Sequence, residues 1–91
     1  MESIQVKRLS ETARLPVRAT EGSAGYDLFA DCAIEIAPGA IERVKTGIAI
    51  AILRSDVAAF LYARSGIASK FGVSPANCVG VIDSDYRGEI M

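Results

Sequence analysis

The sequence predicts an all-β sandwich or barrel with one short helix. Short apolar runs recur along the chain with turn residues between them, as at residues 4–9, 34–36 and 41–46. One run, residues 47–53, is apolar on both faces, with Ile48, Ile50 and Ile52 on one and Ala49, Ala51 and Leu53 on the other, as in a strand covered on two sides. A helix is signalled only at residues 64–72, where Ser65 is placed to cap the start and Gly72 to end it within two turns.

The elements follow in order. Ile4, Val6 and Leu9 are spaced by polar residues and predict a half-buried edge strand. Residues 10–23 are polar and irregular, a loop with Pro16 and Gly22. Residues 24–30 predict a short strand entered through Gly25, with Asp27 between apolar neighbours. Ile34 and Ile36 form a strand leading into the Pro38-Gly39 turn. Residues 41–46 alternate and run into the doubly apolar strand, which a turn at residues 54–56 ends. Residues 57–63 are rich in alanine, yet their length and flanking turns favour strand over helix. After the helix and Pro75, Asn77 leads into an apolar run, Val79 to Ile82. A polar turn follows at residues 84–88, and the return strand of a hairpin is expected to begin at Ile90.

At 91 residues there is room for one small domain, spanning residues 1–91, and a hydrophobic content of 51% supports a folded core. A net charge of −1 argues against general affinity for nucleic acid or anionic membranes. The longest apolar run is too short to span a bilayer, and the N-terminus lacks the apolar core of a signal peptide. Together with Cys32 and Cys78 as free thiols, this predicts a reducing, cytoplasmic setting. The absence of histidine removes Ser-His-Asp and Cys-His catalysis and histidine-based zinc sites. Catalysis would rest on carboxylates, arginines, backbone amides and an oxygen-preferring metal such as Mg²⁺.

Several residues then stand out, each with an ordinary alternative. Arg64-Ser65-Gly66 combines a charged fork, a hydroxyl and close backbone approach for an anion, or is a helix cap beside a surface arginine. Asp83, at the end of an apolar strand, could activate water or could close a turn with Ser84 and Asp85. Tyr86 could stack on a sugar or base, or be an exposed turn tyrosine. Asp27 could hold a metal-bound water or cap a loop. Asn77 could read the edge of a base or only start a strand.

Their joint occurrence and order carry a resemblance. Ala24-Gly25-Tyr26-Asp27-Leu28, Arg64-Ser65-Gly66-Ile67-Ala68 and the stretch from Asn77 through Asp83-Ser84-Asp85-Tyr86-Arg87-Gly88 to Met91 resemble the first three motifs of the trimeric dUTP diphosphatases (dUTPases), in their bacterial form. The resemblance implies a distorted jelly roll, a homotrimer, and hydrolysis of dUTP to dUMP and pyrophosphate with Mg²⁺. Such a reaction keeps uracil out of DNA and supplies dUMP for thymidylate synthesis. It further implies that Asp83 activates the attacking water and that Tyr86 packs on the deoxyribose, rejecting a 2′-hydroxyl. Asn77 and the backbone of Val81, Ile82 and Asp83 would bind uracil and sugar, with Met91 lining that pocket. Arg64, Ser65 and Gly66 would hold the phosphate chain of a dUTP on the neighbouring subunit, and Asp27 would contact a water on the Mg²⁺.

Two departures accompany the resemblance. Ala63 stands where the family usually has proline, which makes the turn into the helix less rigid. The family's fourth motif and its Gly- and Ser-rich arm are not in the sequence. The expectation is therefore a fragment of an ordinary enzyme, incomplete at its C-terminus, with residues 89–91 unpaired and the apolar faces of Ile48, Ile50 and Ile52 exposed. Impaired activity of the chain alone is part of that expectation. The alternatives are a dCTP deaminase of the same superfamily and a non-catalytic nucleotide-binding or interaction remnant.

Overall fold

A computed structural model describes residues 3–91. The chain forms two compact units, one running to Ala51 and taking in Arg87–Met91, the other Ile52–Tyr86. Both are built on short antiparallel strands, and the chain's α-helix lies in the second.

In the first unit, β1 (Gln5–Arg8) pairs antiparallel with β2 (Ile48–Ala51), with Val6 opposite Ile50 and Arg8 opposite Ile48. The Leu9 N–H extends the ladder to the Gly47 carbonyl at 2.7 Å. The other edge of β2 is also occupied: Ala49 bridges Glu89, and the Ile90 N–H donates to the Ile48 carbonyl at 2.9 Å. Paired on both edges, β2 becomes the centre of this unit, and Ile48, Ala49, Ile50 and Ile90 are buried with Ala13. This corrects the expectation of an unpaired C-terminal segment and exposed isoleucines: Ile48, Ile50 and Ile52 are 1%, 8% and 4% exposed. Leu53 does point to solvent, so the doubly covered strand is shorter than its apolar run. The edge position of β1 is as expected, but its residues are exposed rather than half-buried.

The expected strands at 24–30, 34–36 and 41–46 do not form regular ladders. They are irregular segments pinned at single points. Val17 and Asp27 exchange both backbone hydrogen bonds, at 3.1 and 2.7 Å, and the Asp31 N–H donates to the Lys45 carbonyl at 2.8 Å. Within the intervening loop, the Arg18 guanidinium donates to the carbonyls of Glu21 and Ser23. The Arg14 guanidinium lies 3.7 Å from the centroid of the Phe29 ring. Without a neighbouring strand to complete a ladder, the backbone of these segments bonds elsewhere. The turn at Pro38-Gly39 is as expected: Gly39 has φ +78 and the Ala40 N–H closes onto the Ala37 carbonyl at 2.9 Å.

Gly47 is where the first unit tolerates no side chain. Its φ is +70, and a Cβ there would lie 2.8 Å from both Ala13 Cβ and Asp31 Oδ2. Asp31 is itself fixed by Ser10 Oγ at 2.7 Å and Thr12 Oγ1 at 2.8 Å, while Ser10 Oγ accepts the Ala13 N–H at 3.0 Å.

In the second unit, β3 (Ala59–Leu61) pairs antiparallel with β4 (Gly80–Ile82). Strand was thus the right reading of the alanine-rich segment, in a shorter form. The predicted hairpin is a correction. The run ending in Ile82 pairs with β3, whereas Glu89 bridges β2 in the first unit. Gly80 faces Leu61, and a Cβ on it would lie 3.1 Å from the leucine Cβ, so a side chain there would require Leu61 to shift by a few tenths of an ångström. Helix α1 (Ser65–Phe71) ends as expected at Gly72, with φ +67 and its N–H on the Ala68 carbonyl at 3.0 Å. Its start differs by one residue. Arg64 holds the extended cap position, Ser65 is the first helical residue, and no side chain caps the helix.

Candidate functional site

The second unit holds most of the residues singled out in the sequence. At the start of α1, Arg64, Ser65 and Gly66 are exposed, and no side chain caps the first turn. Nothing lies within 4 Å of where a Gly66 Cβ would be, so packing does not explain the glycine. The arrangement is suited to an anion that approaches the backbone closely.

Asn77 is exposed in a tight turn before β4. The Cys78 N–H donates to the Pro75 carbonyl at 3.0 Å and the Val79 N–H to the Asn77 carbonyl at 2.8 Å. Between them Cys78 has φ +68, a conformation that side chains other than glycine and asparagine rarely adopt. Val81 and Ile82 lie on β4, Val81 facing outward at 59% exposure opposite Phe60. Asp83 follows directly and starts a turn that the Tyr86 N–H closes on the Asp83 carbonyl at 3.1 Å. Both side chains are exposed, with Tyr86 at 45%. A strand end and a closed turn therefore present a carboxylate and an aromatic ring to solvent.

Beside this turn is an open concavity of about 550 Å³, lined by residues 55–58 and 83–85. The sequence reads this far wall, residues 55–58, as the end of a turn and the start of a strand. The antiparallel register of Ala59 with Ile82 is what brings the residues before β3 next to those after β4. The Arg54 guanidinium holds Asp56 there through two bonds, at 2.9 and 2.6 Å, and this ion pair lowers the Asp56 pKa below its ordinary value.

Asp27 and Met91 belong to the first unit. Asp27 is half-buried with its backbone fixed to Val17, and Met91 is 51% exposed just after the buried Ile90. Among the described residues no group of three or more His, Cys, Asp or Glu side chains could hold a metal ion. Magnesium bound mainly by phosphate oxygens and water needs only one or two protein carboxylates, and Asp27 fits that donor set. Cys32 and Cys78 are free and exposed. No helix among the described residues is long and apolar enough to cross a membrane.

These elements define a small β-rich protein of jelly-roll type with an exposed helix start that no side chain caps and a carboxylate on a strand-end turn. The family model for dUTPase matches residues 11–91, and the chain belongs to the dUTPase family. It is 52% identical over 97 aligned residues to the deoxyuridine 5'-triphosphate nucleotidohydrolase of Desulfitobacterium hafniense, covering 100% of this chain and 64% of that protein. Among solved structures it resembles a variant of the Staphylococcus bacteriophage 80alpha dUTPase with dUpNHpp. The identity is 34% and the TM-score 0.84, over 99% of this chain and 52% of that one. A variant dUTPase from phage phi11 of S. aureus, described with a structural Mg(II) ion, gives 34% identity and a TM-score of 0.84 over 98% and 56%. The chain thus spans 64% of the length of the curated relative it matches.

Proposed function

We propose that this chain carries the nucleotide site of a dUTP diphosphatase acting in the cytoplasm as a homotrimer. The observation that carries the reading is that the α1 start, Asp83 and Tyr86 are all exposed in a chain of the dUTPase family. Asp83 takes a proton from water as the water oxygen bonds to the α-phosphorus. The bond from that phosphorus to the bridging oxygen of the β-phosphate breaks, and pyrophosphate and dUMP leave. Tyr86 packs on the deoxyribose and leaves no space for a 2′-hydroxyl. Asn77 and the backbone of Val81, Ile82 and Asp83 hold uracil and sugar, and Met91 contacts the nucleoside. Arg64, Ser65 and the Gly66 backbone hold the phosphate chain of a dUTP on a neighbouring subunit. Asp27 would hold a bound Mg²⁺ through water, and the metal would supply positive charge to offset that of the triphosphate.

The test is pyrophosphate release from dUTP with Mg²⁺, run beside binding of dUpNHpp, on the wild-type chain and on Asp83→Asn. Turnover by the wild type, with binding but no turnover in the variant, supports the reading. Full turnover by Asp83→Asn removes Asp83 from its role. Binding without turnover in the wild type points instead to a non-catalytic nucleotide-binding module, and ammonia release from dCTP to a deaminase. Sedimentation analysis tests the trimer.

A further inference from the structure

The first unit contains a buried polar cluster that the proposed chemistry does not use. Thr46 is 9% exposed, and its hydroxyl donates to the Ile90 carbonyl at 2.6 Å. Its backbone N–H donates to the same oxygen at 3.2 Å. The hydroxyl also accepts the Ile48 N–H at 3.4 Å, so a single side chain links β2 to the C-terminal segment. One residue on, the Gly47 N–H donates to Glu89 Oε2 at 2.9 Å, and the Ile90 N–H returns to the Ile48 carbonyl at 2.9 Å. Ile90 is 5% exposed inside this arrangement, whereas Met91 is 51% exposed immediately after it.

The geometry matters because of which oxygen is held. The Ile90 carbonyl belongs to the peptide group that joins Ile90 to Met91, and that group is planar. Two donors on one carbonyl, with Ile90 buried, fix the plane and hence the direction in which Met91 leaves the sheet. Gly47 completes the clamp. With φ +70 and no space for a Cβ it has little freedom to shift, and its N–H meets a carboxylate acceptor, a stronger partner than a neutral one.

We propose that Thr46 and Glu89 are positioning residues, which hold the Ile90–Met91 peptide so that the Met91 side chain is presented in one orientation to the nucleoside of the ligand. This rests on the reading of the chain as a dUTP site in which Met91 contacts the nucleoside. Neither residue touches the nucleotide; both act through Met91.

The experiment measures dUpNHpp affinity of the full chain by calorimetry, with thermal melting alongside. Thr46→Val removes the hydroxyl at nearly constant volume, and Glu89→Ala removes the acceptor of the Gly47 N–H. Each is expected to weaken binding about three- to tenfold, as does Met91→Ala. Thr46→Ser and Glu89→Gln, which keep a donor and an acceptor, restore the affinity. In a Met91→Ala background neither Thr46→Val nor Glu89→Ala weakens binding further, although each still lowers the melting temperature. Losses of the same size in both backgrounds, or wild-type affinity in both single variants, overturn the proposal while leaving the dUTP reading in place. Failure of the wild-type chain to bind dUpNHpp overturns both. Because Glu89 is only half-buried, its variants decide between these outcomes even if Thr46→Val does not fold.

Discussion

Gly66→Ala separates a glycine kept for a ligand from one kept for folding. The residue lies in the first turn of α1, exposed, with nothing within 4 Å of the added methyl and a backbone outside the left-handed region. On stability alone the exchange is favourable. Alanine in an exposed helix gains up to about 1 kcal/mol over glycine, partly by restricting the unfolded chain. For a domain of this size that raises Tm by about 4–8 °C at most. On binding the sign reverses. If phosphate oxygens come within hydrogen-bond distance of the Ser65–Ile67 amides, the methyl stands beside their path. The expected loss is about tenfold in affinity, or ~1.4 kcal/mol. Paired thermal melts and dUpNHpp titrations read both quantities from one preparation. A variant that is more stable and binds more weakly supports the anion site. Unchanged affinity would refute the reasoning, since the backbone would then not be approached, and a fall in Tm would mean that the glycine serves the fold.

Three further outcomes follow from the geometry. Gly47→Ala places a methyl 2.8 Å from Ala13 Cβ and Asp31 Oδ2 at φ +70, and should destabilise by about 2–4 kcal/mol in urea unfolding. Cys78→Gly relieves a left-handed conformation at φ +68 and should stabilise by about 0.5–1 kcal/mol in the same assay. Bonds from Ser10 first and Thr12 second hold the Asp31 pKa below its ordinary value. A depressed carboxylate contributes stability that is complete above the unfolded-state pKa and is lost as pH falls through the folded one. Urea midpoints should therefore drop below about pH 4, with a shallower dependence in Asp31→Asn.

The helix and its surroundings show why part of the fold was legible. Gly72 and Pro38-Gly39 act through their own dihedral angles, so their turns appear wherever the chain goes. The apolar run at 47–53 likewise announced a covered strand, because burial demands apolar side chains whichever neighbour supplies it. The expected strands between Ala24 and Thr46 failed for the opposite reason. A ladder also needs a partner edge, and among the described residues these segments find one at single points, as at Val17, Lys45 and Ile90.

The candidate site divides along the same line. Asp83, Tyr86, Arg64 and Gly66 could be named from type and order, since carboxylate, ring, guanidinium and bare backbone each carry their chemistry with them. The sequence by itself named these residues as candidates, placed a turn after Ile82 and ended the helix at Gly72. Tertiary structure alone decided the pairing: Ile82 joins Ala59 and so brings Asp83 beside residues 55–58, while Glu89 and Ile90 join β2 rather than closing a hairpin. Strand choice is a competition among edges far apart in sequence. Burying Ile90 beside Ile48, with Thr46 satisfying its carbonyl, is a gain that no local pattern around Ile90 encodes.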